Sequence, residues 1–528
     1  MAKIENQQSK LQFQIYDMFE DHKKDEEDED EVNELGEYII RVFARTEEGK
    51  SVHMIISNYT PHFYIKLPLT WSKVEATSYV KIMYRYLVSD MNKKVWGKFR
   101  PCLLSMDIVE RMTAEGFTNE TQFLFARLVF NNSIGMNKFR FLFEESTLFI
   151  PGVTTKPTKF KTYEANLSPM LRCLHIKKIS GCNWVEVSKY INIQFNKESY
   201  CDIEIQVDWR HLSPITKLTN APLRIMSFDI ECYSSDGGFP QARRGNDKII
   251  QIGSTYTYLG ESTPYRKHIV CLNETSPIEG VIVESYDNER DLIKGWIDEI
   301  IKEDCDIITG YNIFYFDEPY IYERCLEHLN NMHEISKISK LKDFNCNFRD
   351  FKLASSALGE NRIRLFNTPG RIHIDLMKDV QKNHKLPCYK LDFVASSFIR
   401  DGIYKMEICD ELIVFHCNGI NDINIGDYIH IEQSFDYISE TIGKKYNIVN
   451  IDKNKKLLIV LKTPDINDFI ESDSYIEWSD QDTLSRKYKL WWSQAKDDIE
   501  VKQIFKLYKG SPYDRAIVAK YCIKDCTL

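Results

Sequence analysis

The stretch Ser227-Phe228-Asp229-Ile230-Glu231-Cys232 determines the predicted fold of this chain. It continues an apolar run that starts after Pro222, which is the pattern of a buried central β-strand. Side chains two positions apart in a strand lie on the same face, so Asp229 and Glu231 are expected side by side. Two buried carboxylates repel each other and lose hydration, which favours a divalent cation between them. The alternative is a strand end with two hydrated acids.

Two later stretches carry polar groups that suit the same kind of site. Ile307–Tyr320 reads as a strand, a turn and the start of a helix, with Asp317 two positions before Pro319, a pattern typical of a first helical turn. Far along the chain, Tyr521 and Asp525 stand four positions apart, which places them on one face of a helix. For Asp525 taken alone, the alternative is a hydrated surface acid.

In this order, Asp229-x-Glu231, Tyr311-Asn312-x-x-x-Phe316-Asp317 and Tyr521-x-x-x-Asp525 resemble the three exonuclease motifs of family B DNA polymerases. Three longer stretches resemble the delta-type branch of that family: residues 221–232, 304–324 and 370–375. The resemblance runs from about residue 37 to the end of the sequence, apart from one insertion. It implies a proofreading 3′–5′ exonuclease with a ribonuclease H-like fold. Three ordered motifs are specific, whereas any one of them alone is weak.

The resemblance implies a role for each matching residue. The implied ligands of two Mg²⁺ or Mn²⁺ ions are the four carboxylates of Asp229, Glu231, Asp317 and Asp525. Two such ions activate a water and stabilise the departing 3′ oxygen. By the same resemblance, Tyr521 orients the attacking water, and Asn312 and Phe316 contact the frayed 3′ end of DNA. Arg243 and Arg244, in the loop after the central strand, are predicted DNA contacts.

The predicted fold class is α/β and α+β, with a ribonuclease H-like exonuclease domain, a β-rich amino-terminal domain and a small all-β insertion. The predicted segments are an amino-terminal segment with an acidic disordered loop (1–36), a β-rich polymerase amino-terminal domain (37–220), the first part of the exonuclease domain (221–402), the inserted β domain (403–482) and the last part of the exonuclease domain (483–528). The insertion is predicted from short alternating strands separated by turns. A helix is expected over Gln494–Lys506. A hairpin turn is expected at Gly359–Asn361, where the resemblance implies a hairpin that helps to part primer from template.

The amino-acid composition of the chain indicates which classes of protein it can belong to. The chain has 528 residues, of which 43% are apolar, enough for several hydrophobic cores. Its fourteen cysteines are scattered, with no Cys-x-x-Cys pair, which predicts reduced and mostly buried thiols rather than disulfides or zinc ligands. No signal peptide or apolar run of membrane-spanning length is present. We therefore expect a soluble intracellular protein, in the host nucleus or at a cytoplasmic replication site if the source is viral.

The negative charge of the sequence is concentrated near its start. The run Glu20–Glu31 holds nine acidic residues and two lysines, so it accounts for −7 of the formal net charge of −9. Such a run predicts a disordered acidic loop. The rest of the sequence is near neutral, which neither supports nor excludes DNA binding. Just upstream, Gln12–Phe19 is similar to a sliding-clamp-binding peptide, and the alternative there is an ordinary first strand.

No polymerase palm motif follows Asp525 in the sequence. The chain is therefore expected to be the front half of a replicative polymerase that needs a carboxy-terminal polymerase half for DNA synthesis. Its Asn-, Ile- and Lys-rich composition and its insertion favour a large DNA virus as the source. One alternative is a non-catalytic DNA-binding scaffold half, against which the four acids argue. The other is a free-standing 3′–5′ repair exonuclease, against which the amino-terminal domain argues.

Overall fold

The structure is a computed structural model that describes residues 10–23, 36–91, 102–355, 359–409, 411–420, 423–435, 438–462, 489–495 and 499–527. The chain divides into two compact units. The first is Met1–Leu223 with Ser339–Asp343, and the second is Arg224–Ile338 with Phe344–Leu528. The division after Leu223 lies close to residue 221, where the exonuclease region is predicted to start. The finer division into domains stays a prediction.

The first unit is rich in β-structure. Its strands are β1 (Leu11–Lys23), β2 (Glu37–Arg45), β3 (Ser51–Ser57), β4 (His62–Lys66), β5 (Leu103–Arg111), β6 (Phe123–Phe130), β7 (Thr162–Tyr163), β8 (Trp184–Val187), β9 (Ile191–Asn192), β10 (Ile203–Asp208) and β11 (Leu212–Ile215). They form a seven-stranded sheet in the order β11-β8-β1-β2-β3-β10-β9 and a four-stranded sheet in the order β5-β6-β4-β7. The helical segments are Lys73–Tyr86, Leu87–Met91, Ser133–Glu145, Pro169–Lys177 and Trp209–His211. A β-rich amino-terminal region is thus confirmed.

Strand β1 corrects one expectation about the start of the chain. Glu20–Lys23 were predicted to open the acidic loop, but they pair with the first residues of β2. Glu20 also accepts a hydrogen bond of 3.0 Å from the backbone of Met170, which holds this acid in place. The remaining acidic residues, 24–31, lie outside the described residues. Gln12–Phe19 lie within β1 and Phe13 is fully buried, so the strand reading is confirmed and the clamp contact stays a prediction.

A mixed sheet forms the centre of the second unit. Its strands are β12 (Arg224–Cys232), β13 (Ile249–Tyr258), β14 (Arg266–Leu272), β15 (Ile282–Tyr286), β16 (Ile307–Gly310) and β19 (Ile372–Asp375), in the order β15-β14-β13-β12-β16-β19. Strand β13 is antiparallel to both of its neighbours, and the other pairings are parallel. This order and these directions are those of a ribonuclease H-like sheet.

Helices cover both faces of this sheet. The helices of the second unit are Glu289–Glu303, Asp317–Arg324, which continues as the π-helical turn Cys325–Leu329, Met332–Ser336, Leu376–Asn383, Leu391–Phe398, Val501–Tyr508 and Pro512–Asp525. On one face, the ring of Phe228 packs against Trp296 with centroids 5.2 Å apart. Since neighbouring side chains of a strand point to opposite faces, Asp229 lies on the other face, where Cys522 of the last helix also lies.

The predicted hairpin is formed by β17 (Phe348–Ser355) and β18 (Gly359–Phe366). The prediction of its turn was wrong, because Gly359–Asn361 already belong to β18. The antiparallel register pairs Gly359 with Ser355, so the reversal comes before the glycine. Residues 356–358 are outside the described part of the chain.

A closed barrel follows the helix Leu391–Phe398. Its strands are β20 (Arg400–Cys409), β21 (Leu412–Cys417), β22 (Tyr428–Phe435), β23 (Ile438–Asp452), β24 (Leu457–Leu461) and β25 (Lys489–Ala495), closed in the order β20-β21-β24-β23-β22-β25. Alternating residues such as Phe415, Val460 and Trp492 fill its interior. The barrel strands therefore extend beyond the predicted limits of 403 and 482 at both ends. At the junction, the backbone N–H of Gln494 donates to the carbonyl of Ile399 at 2.9 Å, so the chain leaves and re-enters the nuclease layers at neighbouring points.

Strand β25 also overturns the predicted helix Gln494–Lys506. Gln494 lies in the strand, and the helix begins only at Val501. The reason is that β25 pairs with both β20 and β22, and this double pairing closes the barrel. Its Leu490 and Trp492 point into the barrel core, an alternation that a helix would not satisfy.

The prediction that the cysteines are mostly buried is confirmed. None of the fourteen, all of which lie in described residues, forms a disulfide, and most are buried. Among the helices that the structure describes, none is long and apolar enough to cross a membrane.

Candidate active site

The middle strand of the nuclease sheet carries the first two acids. In β12, Asp229 is paired with Gly253 and Glu231 with Gln251 of β13. Their carboxylate oxygens and the Sγ of Cys522 all lie within 4.8 Å of one another. The sequence therefore predicted correctly that the two carboxylates share a face.

Gly253 allows the helix Pro512–Asp525 to approach this face. A Cβ at Gly253 would lie 2.9 Å from the Sγ of Cys522, closer than real Cβ atoms come. It would also lie 3.1 Å from the Sγ of Cys526, which is a tight contact. The thiol of Cys522 donates to the carbonyl of Asp229 at 3.5 Å. A hydrogen bond with Cys526 and burial raise the pKa of the Cys522 thiol well above its ordinary value. Cys522 thus stays protonated and anchors the helix to the strand.

The same helix carries Tyr521 and brings Asp525 to the site. It begins with a capping box, in which Ser511 and Asp514 exchange side-chain and backbone hydrogen bonds, so its first turn is well defined. Tyr521 is partly buried and packs against the nuclease core. Asp525 lies close enough to Asp229 for its charge to raise the pKa of that carboxyl.

Asp317 joins the cluster from the other side. It is the first residue of the helix Asp317–Arg324 and is 2% exposed. Its Oδ1 accepts a hydrogen bond of 3.2 Å from the backbone N–H of Ile230, the residue between the two acids of β12. The structure therefore brings together Asp229, Glu231, Asp317 and Asp525.

Burial of these acids close to one another is the main electrostatic feature of the site. Burial raises the pKa of Asp229 well above its ordinary value, and the charges of Asp317, Glu231 and Asp525 raise it further. Burial also raises the pKa of Asp317 to about 8, although the hydrogen bond from Ile230 opposes this shift. A site that holds so many acids at low hydration is suited to a cation.

Asp375 supports the site and was not identified from the sequence as a functional residue. It is 2% exposed, and its two oxygens accept hydrogen bonds from the backbone N–H groups of Asn312 (2.9 Å) and Phe314 (3.1 Å). It also accepts from Met377 (3.0 Å) at the start of the next helix. These bonds fix a loop in which Asn312 has a φ of +65°. The available signal was an acid at the end of a predicted strand, directly before a helix.

Phe316 lies at the rim of the site, next to the loop after β12. Its ring is edge-on to Phe239 at 5.5 Å and tilted against Tyr320 at 5.4 Å. Phe239 is 72% exposed. The pair presents an aromatic surface of the kind on which unpaired bases stack.

The two predicted DNA-binding arginines lie in ion pairs with acids of the chain itself. The Nε of Arg243 is 3.5 Å from Glu323 and 3.4 Å from Glu327, and its side chain is 71% exposed. Arg244 pairs with Asp236 and lies 3.7 Å from Asp247. A role in DNA binding stays a prediction for both.

Parts of this chain are similar to DNA polymerases. The family description "DNA polymerase family B, exonuclease domain" matches residues 160–394, a range that includes Asp229, Glu231 and Asp317 and ends before Tyr521 and Asp525. The DNA polymerase of Acanthamoeba polyphaga mimivirus is 29% identical over 98% of this chain and 35% of that protein. The DNA polymerase delta catalytic subunit of Dictyostelium discoideum is 30% identical over 72% of this chain and 34% of that protein.

Among solved structures, the family B DNA polymerase from the hyperthermophilic archaeon Pyrobaculum calidifontis matches 74% of this chain and 39% of that chain, with a TM-score of 0.47 and 20% identity. The chain spans between about a third and a half of the length of the first three curated relatives it matches. These relatives are viral and delta-type DNA polymerases. The chain therefore contains the exonuclease domain of DNA polymerase family B.

Proposed function

We propose that this chain is a metal-dependent 3′–5′ exonuclease that removes nucleotides from single-stranded or frayed DNA ends, as the proofreading part of a family B polymerase. The observation that carries the proposal is the convergence of four carboxylates, from one strand and two helices, on one face of the ribonuclease H-like sheet. The relatives named above support it, since they are DNA polymerases.

The donor set fits hard divalent cations. Asp229, Glu231, Asp317 and Asp525 offer oxygen ligands, which Mg²⁺ and Mn²⁺ prefer. The raised pKa values of Asp229 and Asp317 mean that a cation would offset both repulsion and desolvation. The thiol of Cys522 lies within 4.8 Å of the oxygens of Asp229 and Glu231, but sulfur is a softer donor than these hard cations prefer. Two bound ions would supply an activated water and charge stabilisation for the leaving oxygen.

The remaining residues of the chain position the substrate and the water. Tyr521, one helical turn before Asp525, would hold and orient the attacking water. Asn312 and Phe316 lie on the loop that Asp375 fixes, so they are held in place to contact the terminal nucleotide. Phe316 and its neighbour Phe239 offer aromatic faces to a base that has left the duplex. Mismatched ends unpair more easily, so the cost of unpairing itself supplies selectivity.

DNA synthesis is assigned to a carboxy-terminal polymerase half, which would be the main protein partner, at a nuclear or cytoplasmic replication site. Two other functions remain open to test. A non-catalytic scaffold would bind DNA without cleaving it. A free-standing repair exonuclease would cleave DNA but would have no polymerase half as partner.

The test is cleavage of a 5′-labelled single strand by the purified chain with Mg²⁺ or Mn²⁺. We expect shortening from the 3′ end, and a loss of about a thousandfold in Asp229→Ala or Asp317→Ala, equal to about 4 kcal/mol of barrier. The control is Asp298→Ala, which removes an exposed acid paired with Lys294 and should leave the rate unchanged. Full activity of the Asp229→Ala, Glu231→Ala double variant would refute the metal assignment.

A further inference from the structure

Strand β19 holds the segment that carries Asn312 and Asp317 at a second point, besides the contacts of Asp375. His373 stands two positions before Asp375 in this strand, so the two side chains lie on the same face of it. The imidazole Nδ1 of His373 is 2.6 Å from Oε1 of Glu318, the residue that directly follows Asp317. Asp375 therefore binds the segment near its start, and His373 binds it near its end.

The carboxylate of Glu318 is engaged at both oxygens. Its Oε2 accepts a hydrogen bond of 2.7 Å from the backbone N–H of Phe366, the last residue of β18. On the far side of the imidazole, Nε2 of His373 is 2.6 Å from the hydroxyl oxygen of Thr368. The side chain of Glu318 is 1% exposed and that of His373 is 3% exposed. A carboxylate at this depth is stable only with such partners, so the side chain of Glu318 is fixed in one position.

The first turn of the helix Asp317–Arg324 depends on contacts of this kind. Its N-cap residue is Phe316, whose side chain has no oxygen to accept a hydrogen bond from the turn, as N-cap side chains commonly do. Side chains inside the turn anchor it instead. Asp317 accepts from the backbone of Ile230 at 3.2 Å, and Glu318 is bound as described above. The hydrogen bonds of Glu318 therefore help to set the position of the adjacent Asp317.

A second buried acid beside Asp317 has an electrostatic cost. Burial is the main cause of the raised pKa of Asp317, and the charges of Asp375 and Glu318 raise it further. A glutamine at position 318 would remove this repulsion and would keep an oxygen for the N–H of Phe366. Substitution by glutamine therefore separates the effect of the charge from the effect of the hydrogen bonds.

We propose that Glu318, held by His373, is a positioning residue that keeps the carboxylate of Asp317 in place as a metal ligand. Glu318 acts through the backbone that it shares with Asp317, and His373 acts through Glu318. The inference rests on the proposed function. It also goes beyond the three exonuclease motifs of the sequence, which include neither Glu318 nor His373.

The test measures the Mn²⁺ affinity of the full chain by isothermal titration calorimetry without DNA, and the rate of single-strand cleavage at saturating DNA. The part of the calorimetric signal that Asp317→Ala removes belongs to the site. Glu318→Ala should weaken this binding about tenfold and slow cleavage by a similar factor, as is usual when a group that holds a metal ligand is removed. Glu318→Gln should retain most of the affinity, because its amide can still bond to Phe366 and to the imidazole.

His373→Ala should weaken Mn²⁺ binding in the same direction. The Glu318→Ala, His373→Ala double variant should bind no more weakly than Glu318→Ala alone, because the two side chains act as one unit. If Glu318→Ala does not fold, the comparison of His373→Ala with the control decides the question in the same way.

The matched control is Glu334→Ala. It also removes a buried glutamate that is paired with a histidine, His333, at 2.8 Å, but in the helix Met332–Ser336, which carries none of the four carboxylates. If Glu318→Ala and His373→Ala bind Mn²⁺ as tightly as this control, or if Glu318→Gln binds as weakly as Glu318→Ala, the proposal is overturned while the proposed function stands. A wild type that neither binds Mn²⁺ nor cleaves DNA would instead refute the proposed function, and this inference with it.

Discussion

Asp317→Asn should stabilise the metal-free protein, and more so as the pH rises. Asparagine keeps an oxygen that can accept the hydrogen bond from Ile230 but carries no charge. The folded-state pKa of Asp317 is about 8, well above its ordinary value of 3.8. The folded protein therefore holds this proton more tightly than the unfolded chain does. Its stability falls as the pH rises from about 4 to about 8, where the carboxylate must ionise in place.

The expected change in the free energy of unfolding follows from the shift in the pKa of Asp317. One pKa unit corresponds to about 1.4 kcal/mol, so a shift from 3.8 to about 8 sets an upper bound of about 6 kcal/mol. Asp229 is raised in the same cluster and shares the titration, so we expect roughly half of this bound between pH 5 and pH 8. For a unit of about 300 residues, that corresponds to about 5 °C in melting temperature.

The assay is thermal unfolding in EDTA at both pH values. The difference in melting temperature between Asp317→Asn and the wild type should grow from pH 5 to pH 8. Mg²⁺ at pH 8 should raise the melting temperature of the wild type more than that of the variant. Asp208→Asn is the control, because a hydrogen bond from Arg210 lowers the pKa of Asp208. The contribution of Asp208 is complete above about pH 4, so its substitution should cost the same at pH 5 and pH 8.

An Asp317→Asn variant that melts below the wild type by the same margin at both pH values would refute this reasoning. It would mean that Asp317 is ionised without penalty in the folded protein. The raised pKa, and the argument that the site needs a cation, would then both fail.

Three further outcomes are expected. Gly253→Ala should lower the free energy of unfolding by about 1 to 3 kcal/mol and slow cleavage, because its Cβ would displace Cys522. Gly181→Ala, whose Cβ would lie in open space, should do neither. Equal effects of the two substitutions would contradict the close approach of the last helix to Gly253. Asp375→Ala releases the Asn312 loop, so it should slow the cleavage of saturating DNA by more than the accompanying fall in melting temperature explains. An unchanged cleavage rate would show that Asp375 does not support the site. Replacing Arg400–Ala495 by a short Gly/Ser linker should leave a folded nuclease with weaker DNA binding, and loss of folding would show that the barrel belongs to the nuclease core.

The sequence predicted the centre of the site well, for a physical reason. Asp229 and Glu231 lie on a strand and Tyr521 and Asp525 on a helix, and the fixed periodicity of these elements decides which side chains share a face. The resemblance of the three motifs to those of family B exonucleases then predicted that these residues form one site, although they lie far apart in the sequence. The β-rich first unit and the insertion with its alternating strands were predicted on the same basis.

Other features depend on contacts that no local pattern contains. The local sequence around Gln494 predicted a helix. Only the pairing of β25 with two distant strands places this residue in a strand. The role of Asp375 depends on three backbone N–H groups, two of them more than sixty residues away in sequence. The need for glycine at position 253 comes from a helix about 270 residues further along the chain.

The close approach of the last helix to the central strand also sets an order of assembly during synthesis. The thiol of Cys522 and the carbonyl of Asp229 are 293 residues apart in sequence. At about 5 to 20 residues per second, the helix is made about 15 to 60 s after the strand. Until the helix is made, a ribosome-bound chain holds at most Asp229, Glu231 and Asp317 and lacks Tyr521 and Asp525. Nascent chains therefore acquire the complete set of proposed ligands only as this helix docks.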